Sequence, residues 1–159
     1  MERLPNYHGC FVCGDRNPTG LRVRFMTDGE KVWTTFTPSE QQKGYHGITH
    51  GGVLAALLDE TMGWAPTLKR GRFCMCVELN MEYRKSVPIG TQITVTGWMT
   101  DGSRRIWECA GEIRGADGTL YVRGKGRFMP IGEEPSRAIL EYLTFDEGCV
   151  PAERLCPKP

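Results

Sequence analysis

No apolar run in this sequence approaches the ~20 residues that a bilayer-spanning helix needs. The first ten residues, MERLPNYHGC, lack the apolar stretch of a secretory signal, so a cytoplasmic protein is expected. A dominant charge sign is missing too: 20 Lys and Arg stand against 19 Asp and Glu, a formal net charge of +1. That balance gives no electrostatic reason to expect a nucleic-acid or membrane partner. There is no internal repeat and no low-complexity block. Nor do the cysteines form an even framework: there are seven, with two close pairs, Cys10/Cys13 and Cys74/Cys76. Residues two apart on a strand point the same way but make poor disulfide partners, so reduced thiols are expected.

What is present fits one domain, residues 1–159, long enough to bury a sizeable core. Residues 1–20 are loop-like, rich in Gly, Pro, Asn and Cys. "LRVRFM" alternates Leu21, Val23 and Phe25 with arginines, and "KVWTTFTP" places Val32, Thr34 and Phe36 on one side. With the Thr27-Asp28-Gly29 turn between them, the two runs predict a hairpin. A helix is predicted from Gly51 to Ala65, with Pro66 as its stop. Four strand-like runs follow. The first has Val77, Leu79, Met81 and Tyr83 on one face, and the second Ile93, Val95 and Met99. The third has Trp107, Cys109 and Ile113, and the fourth Leu120, Val122 and Phe128. Asp101-Gly102 and Asp117-Gly118 read as hairpin turns. One polar face per strand predicts an antiparallel sheet packed on one side. Only one buried helix is available to cover it, so an α+β fold is expected, the sheet wrapped around that helix. Residues 131–159 form a C-terminal extension with a short helix near "SRAILEYL" and a surface tail.

The predicted helix is asymmetric. Gly52, Ala55, Ala56, Asp59 and Gly63 share one face at steps of three and four, whereas Leu54, Leu57, Leu58 and Met62 look like core anchors. A stripe of small residues lets a backbone or a ligand come close, and Asp59 stands within it. The plain alternative is tight helix–sheet packing with Asp59 held by backbone donors. Against it, an ionised carboxylate beside so much apolar surface is costly without partners, and such groups often mark reaction sites. Glu60 lies about a hundred degrees further round, towards Val53 and Trp64, and is the weaker candidate. At the helix start, first-turn N–H groups have no intrahelical acceptor, and Gly51 and Gly52 carry no side chain to block approach. They could offer donors to a developing oxyanion. Asp59 is about 12 Å further along the axis at 1.5 Å per residue. One straight helix therefore does not bring both ends to one carbonyl, and a partner subunit would.

At these residues the sequence resembles the hotdog-fold thioesterases of the 4-hydroxybenzoyl-CoA thioesterase superfamily, in the PaaI-like branch. "HGGVLAALLDE" is similar to that branch's HGG-x6-D motif. "VELNMEYRKSVPIGT" resembles the strand and turn that follow, and "CFVCGDRNPTGLRVRF" an N-terminal segment of many members. Together these cover most of residues 10 to 130. The resemblance implies a hotdog fold and hydrolysis of an acyl-CoA substrate without cofactor, in a homodimer or dimer of dimers with sites at the interface. It places the catalytic acid on Asp59, as nucleophile or general base, and the carbonyl-polarising N–H on Gly51. The motif histidine, which shapes the helix start, falls on His50, with Gly52 beside it on the substrate. Two positions depart from the pattern. Cys76 stands where relatives often have Ser or Thr to hold the water or nucleophile, and a thiol is the weaker donor. Gly44 stands where some relatives have Asn, which leaves His46 as the nearest polar candidate to line the site.

The alternative to an enzyme is a non-catalytic acyl-CoA-binding hotdog protein, which Cys76 keeps open. A hotdog hydratase fits less well, because no histidine follows His50. Cys10-x2-Cys13 resembles half a zinc site, but the other ligands would have to come from His8, Cys149 or Cys156 at no standard spacing. No metal is expected. A redox role for the same pair lacks the helix that should follow it. Arg84, Lys85, Arg123 and Arg127 are candidates for CoA phosphates, or else solvated strand edges. Trp33, Trp64, Trp98 and Met62 are candidates for an apolar pocket.

Overall fold

Apolar residues at helical spacing bury one face of a long helix, and strands with inward-facing apolar residues close around it. The computed structural model describes residues 1–157; the last two residues of the expected extension lie outside the described residues. In chain order the strands are β1 (Glu2–Arg3), β2 (Met26–Thr27), β3 (Lys31–Phe36), β4 (Cys74–Tyr83), β5 (Ile93–Gly102), β6 (Trp107–Gly115) and β7 (Leu120–Pro130). Helix α1 (Gly51–Arg70) lies between β3 and β4, and α2 (Glu133–Leu140) and α3 (Ala152–Leu155) follow β7. All strands pair antiparallel in one sheet, ordered β1-β2-β3-β5-β6-β7-β4. This is the hotdog arrangement, with α1 against the inner face.

The alternation expected of the last three strands is the alternation of burial. Ile93, Val95, Trp107, Cys109, Ile113, Val122 and Phe128 all point into the core, beneath Leu54, Leu57, Leu58 and Met62 of α1. Close approach depends on a row of sheet glycines, with Gly97 paired to Gly111 and Gly111 to Gly124. A Cβ on Gly97 would stand 2.9 Å from the Met62 nitrogen and the Thr61 carbonyl oxygen. The helix backbone therefore rests directly on β5.

Five local expectations need correction. First, α1 does not stop at Pro66. The missing Pro66 N–H costs one helical hydrogen bond, but Pro66, Thr67 and Leu68 are buried, and the helix ends at Gly71. That residue adopts φ +62°, with its N–H donating to the Thr67 carbonyl. Second, residues 21–26 are not a strand, apart from Met26 in β2. Leu21, Val23 and Phe25 are buried in alternation, but Arg22 has φ +58° and interrupts the extended backbone. Leu21 and Val23 donate instead to the carbonyls of Phe11 and Val12, at 2.8 and 3.1 Å, in the N-terminal loop. Third, β4 is a sheet edge with a bulge between Cys76 and Glu78, so Val77 and Tyr83 are each 51% exposed rather than facing the core. Fourth, the C-terminal tail is not merely surface: Val150 and Leu155 are fully buried, and Val150 N–H donates to the Arg3 carbonyl at 2.9 Å. Fifth, Asp101 and Gly102 end β5, and the reversal itself follows them at 103–106.

Candidate active site

Two places on α1 carry groups able to do chemistry. The first is its mouth. His50 is the N-cap residue, and its Nδ1 accepts the Gly52 N–H at 2.9 Å, which puts the proton of a neutral ring on Nε2. The Gly51 N–H has no acceptor among the described residues. In the next peptide unit, the Gly51 carbonyl accepts from the Tyr83 hydroxyl at 2.9 Å, and a Cβ on Gly51 would meet the Tyr83 ring at 3.3 Å. Gly44, Tyr45, Thr49, His50 and Gly51 enclose a cavity of about 300 Å³, where Thr49 Oγ1 is buried without a partner among the described residues. His46 is exposed and lies outside that lining, near Glu40, whose carboxyl is lowered chiefly by its hydrogen bond to Lys43 and only slightly by His46.

The second place is two turns along. Asp59 lines a cavity of about 580 Å³ whose walls are largely apolar, including Trp64, Phe73, Phe128, Ile139 and Leu143. Its Oδ1 is buried and has no hydrogen-bond partner among the described residues. Cys76, on β4, joins the same lining and donates to the Glu78 carbonyl at 3.5 Å. Burial, and then the neighbouring Asp59 carboxylate, push the Cys76 thiol up to about 12. Cys74 is likewise pushed up to about 12, chiefly by burial. Of the four residues proposed for an apolar pocket only Trp64 lines this cavity. Met62 is fully buried beneath the sheet, and Trp98 lies on the outer sheet face under the Lys31 ammonium.

Within one chain, then, Asp59 and Cys76 share one cavity, while His50 and Gly51 line another and Gly52 follows them in the first turn of α1. Eight residues of helix separate Asp59 from Gly51, about 12 Å. Sequence reasoning underrated Glu60. The N-terminal loop folds over α1 and sets Cys10 Sγ 3.1 Å from Glu60 Oε2, in the same cavity as Asp59. Burial is the main reason that the Glu60 carboxyl is raised to about 8. The Cys13 thiol, hydrogen-bonding to Cys10, is the main reason that Cys10 is lowered to about 5, and Cys13 is raised in turn. The Val12 and Cys13 N–H groups also point at Cys10 Sγ, at 3.2 and 3.3 Å. The Cys-x2-Cys spacing was the available signal; its partner lies 50 residues away. The expected alternative ligand His8 is engaged elsewhere, with Asp15 at 2.5 Å and Thr144 at 2.9 Å.

Among the basic candidates for CoA phosphates, Arg84 pairs with Glu82 at 3.3 Å and Arg127 with Glu78 at 2.9 Å. All four of these side chains are substantially exposed, so each pair is weak and open to exchange. No helix among the described residues is long and apolar enough to cross a membrane.

The fold agrees with what the chain is similar to. The family model described as thioesterase superfamily matches residues 46–122, which hold the helix mouth, Asp59 and Cys76. A solved thioesterase superfamily protein is 32% identical, over 76% of this chain and 62% of its own, with a TM-score of 0.69. The PaaI protein of the E. coli phenylacetic acid degradation operon shares the fold at 19% identity and a TM-score of 0.65, over 70% of this chain and 81% of its own. Acyl-coenzyme A thioesterase THEM5 of Mus musculus is 25% identical over 111 residues, 69% of this chain and 44% of that protein. The chain thus spans less than half the length of the curated relatives it matches. The matched segment is similar to the thioesterase superfamily, and the sheet-around-helix architecture is the hotdog fold of these solved neighbours.

Proposed function

We propose that the protein is an acyl-CoA thioesterase, converting R–CO–S–CoA and water into R–COOH and CoA–SH. The observation that carries this reading is the Asp59 carboxylate, one oxygen of which is buried without a protein partner on the wall of an apolar cavity. An acid so placed either attacks the thioester carbonyl itself or takes a proton from a water that does. The acyl group lies against Trp64, Phe73 and Phe128, which exclude bulk water from the reacting carbon. The free Gly51 N–H at the positive end of α1 meets the negative charge that develops on the carbonyl oxygen.

Because about 12 Å separates Gly51 from Asp59 along one helix, each site is completed by a second copy of the chain. Edge strand β4 is the natural joint: its outer backbone is unpaired among the described residues, and Met75 and Val77 lie exposed along it. Antiparallel pairing there brings one chain's helix mouth towards the other's Asp59, in a homodimer or a dimer of dimers. Two solved neighbours support the substrate class. One, from Streptococcus mutans, is bound to acetyl-CoA, and one from Streptococcus pneumoniae holds coenzyme A. Seven cysteines without a disulfide among the described residues suit a cytoplasmic setting.

The test is steady-state hydrolysis of a panel of acyl-CoAs by the wild type and Asp59→Ala. A loss of roughly 10²–10⁴-fold in kcat is expected, and equal rates would remove Asp59 from the mechanism. Cys76, a poorer donor than the hydroxyl of relatives, favours a binding-only protein as the second reading. Calorimetric binding of a CoA ester with no thiol release from any panel member would establish that reading instead.

A further inference from the structure

We propose that Cys10, Cys13 and Glu60 bind a thiophilic divalent cation, zinc(II) by the chemistry of the donors, on the wall of the Asp59 cavity. The two thiol sulfurs and a Glu60 carboxylate oxygen all lie within 4.8 Å of one another. Zinc bonds of about 2.3 Å to sulfur and 2.1 Å to oxygen in a tetrahedron put ligand atoms roughly 3.5–3.8 Å apart. Side-chain rotations therefore suffice to close the site, and the 3.1 Å contact between Cys10 and Glu60 opens slightly as the metal replaces the shared proton. Two sulfur donors with one carboxylate select zinc over the oxygen-seeking magnesium and calcium.

Three further features fit a cation here. The Val12 and Cys13 N–H groups both aim at Cys10 Sγ, fixing the sulfur and stabilising it as a thiolate ligand. The cavity lining contains Asp59, Glu60, Cys10 and Cys13 but no Lys, Arg or His, so the protein supplies no positive charge of its own there. A bound cation supplies the positive charge that lets these buried acidic groups give up their protons. The three ligands also come from two parts of the chain, the loop at residues 10–13 and α1, so the ion clips the N-terminal segment onto the helix beside Asp59. Three protein ligands leave a fourth tetrahedral position for water or another small donor. On binding, the thiol protons pass to solvent.

The site is tested without substrate, so its failure is separate from failure of the hydrolase reading. The full chain is stripped with a chelator, kept reduced, and titrated with Co²⁺ and then Zn²⁺. One Co²⁺ per chain is expected, with a sulfur-to-cobalt charge-transfer band and the intense visible bands of a tetrahedral site, both abolished by equimolar Zn²⁺. Glu60→Gln, which preserves shape, lowers the Zn²⁺ affinity at least tenfold, and Cys10→Ser/Cys13→Ser removes the charge-transfer band while circular dichroism reports an intact fold. No sulfur-to-cobalt band at saturating Co²⁺ in the reduced wild type overturns the proposal. So does an undiminished band in the double variant, which would assign the metal to Cys74 and Cys76.

Discussion

The Tyr83 hydroxyl donates to the Gly51 carbonyl at 2.9 Å, tying the last residue of edge strand β4 to the first residue of α1. The same ring covers the space where a Gly51 side chain would project. One peptide plane is thus fixed from its carbonyl side. Tyr83→Phe keeps the ring and removes the bond, so stability falls by about 0.5–1 kcal/mol, as for other single hydrogen bonds. The shift of the urea midpoint at unchanged m-value reads this. Under the thioesterase reading kcat falls as well, while KM holds, because Tyr83 holds residue Gly51 in place through the adjoining peptide and the Gly51 N–H acts on the transition state rather than on bound substrate.

His50 holds the same helix end from the other side. Its Nδ1 accepts the Gly52 N–H, an orphan donor of the first turn. His50→Ala exposes that donor and is expected to cost about 1 kcal/mol, whereas His50→Asn keeps a capping acceptor and recovers most of the loss. Thermal unfolding of the three proteins checks the order, and equal midpoints for the wild type and His50→Ala would show that the imidazole does not cap.

Much of this architecture was legible in the sequence because burial alternates with the pleat. Ile93, Val95, Ile113 and Val122 announce their inward face by spacing alone. Asp59 was legible for a related reason, a carboxylate in a stripe of small residues on an apolar helix. Glu60 was not: its environment comes from Cys10 and Cys13, and helical geometry says nothing about a loop that folds back from 50 residues away. Pro66 misled for the opposite reason, because a local rule about helix ends yielded to burial of Ala65, Pro66 and Leu68. The shortfall of β4 from its expected face is a matter of position, since pattern gives a strand's faces but not its place at the sheet edge.

The sheet glycines were also silent in the sequence, since whether a glycine lies under a helix depends on tertiary packing. Gly97→Ala puts a methyl group 2.9 Å from backbone atoms of Thr61 and Met62, which do not rotate away. Overpacking of this kind is expected to cost about 1–3 kcal/mol. Gly124→Ala meets only the ends of Leu58, Met62 and Met81 side chains, at 3.3 Å or more, and is expected to cost less. Denaturant unfolding of the pair ranks them, and an equal loss would mean that α1 shifts bodily on the sheet instead of resting on Gly97.

Finally, the Asp59 carboxylate acts on Cys76 across the cavity, and alkylation reads that effect directly. With the thiol pushed up to about 12 by burial and by Asp59, only about one Cys76 in 10⁴ is a thiolate at pH 8. Thiolate is the reacting form, so labelling is slow and its rate rises with pH. Asp59→Asn removes the negative charge but leaves the burial, lowering the thiol's pKa and speeding Cys76 labelling at every pH below it. Cys109 is the internal control. It is buried in the core and the reagent reaches it only when the fold opens, so unchanged Cys109 labelling shows that Asp59→Asn leaves the fold closed. Timed iodoacetamide labelling at pH 8, read by peptide mass spectrometry, gives both rates in one sample. Cys76 rates that are equal in the two proteins would mean that the carboxylate does not face this thiol, and would remove Cys76 from the proposed site.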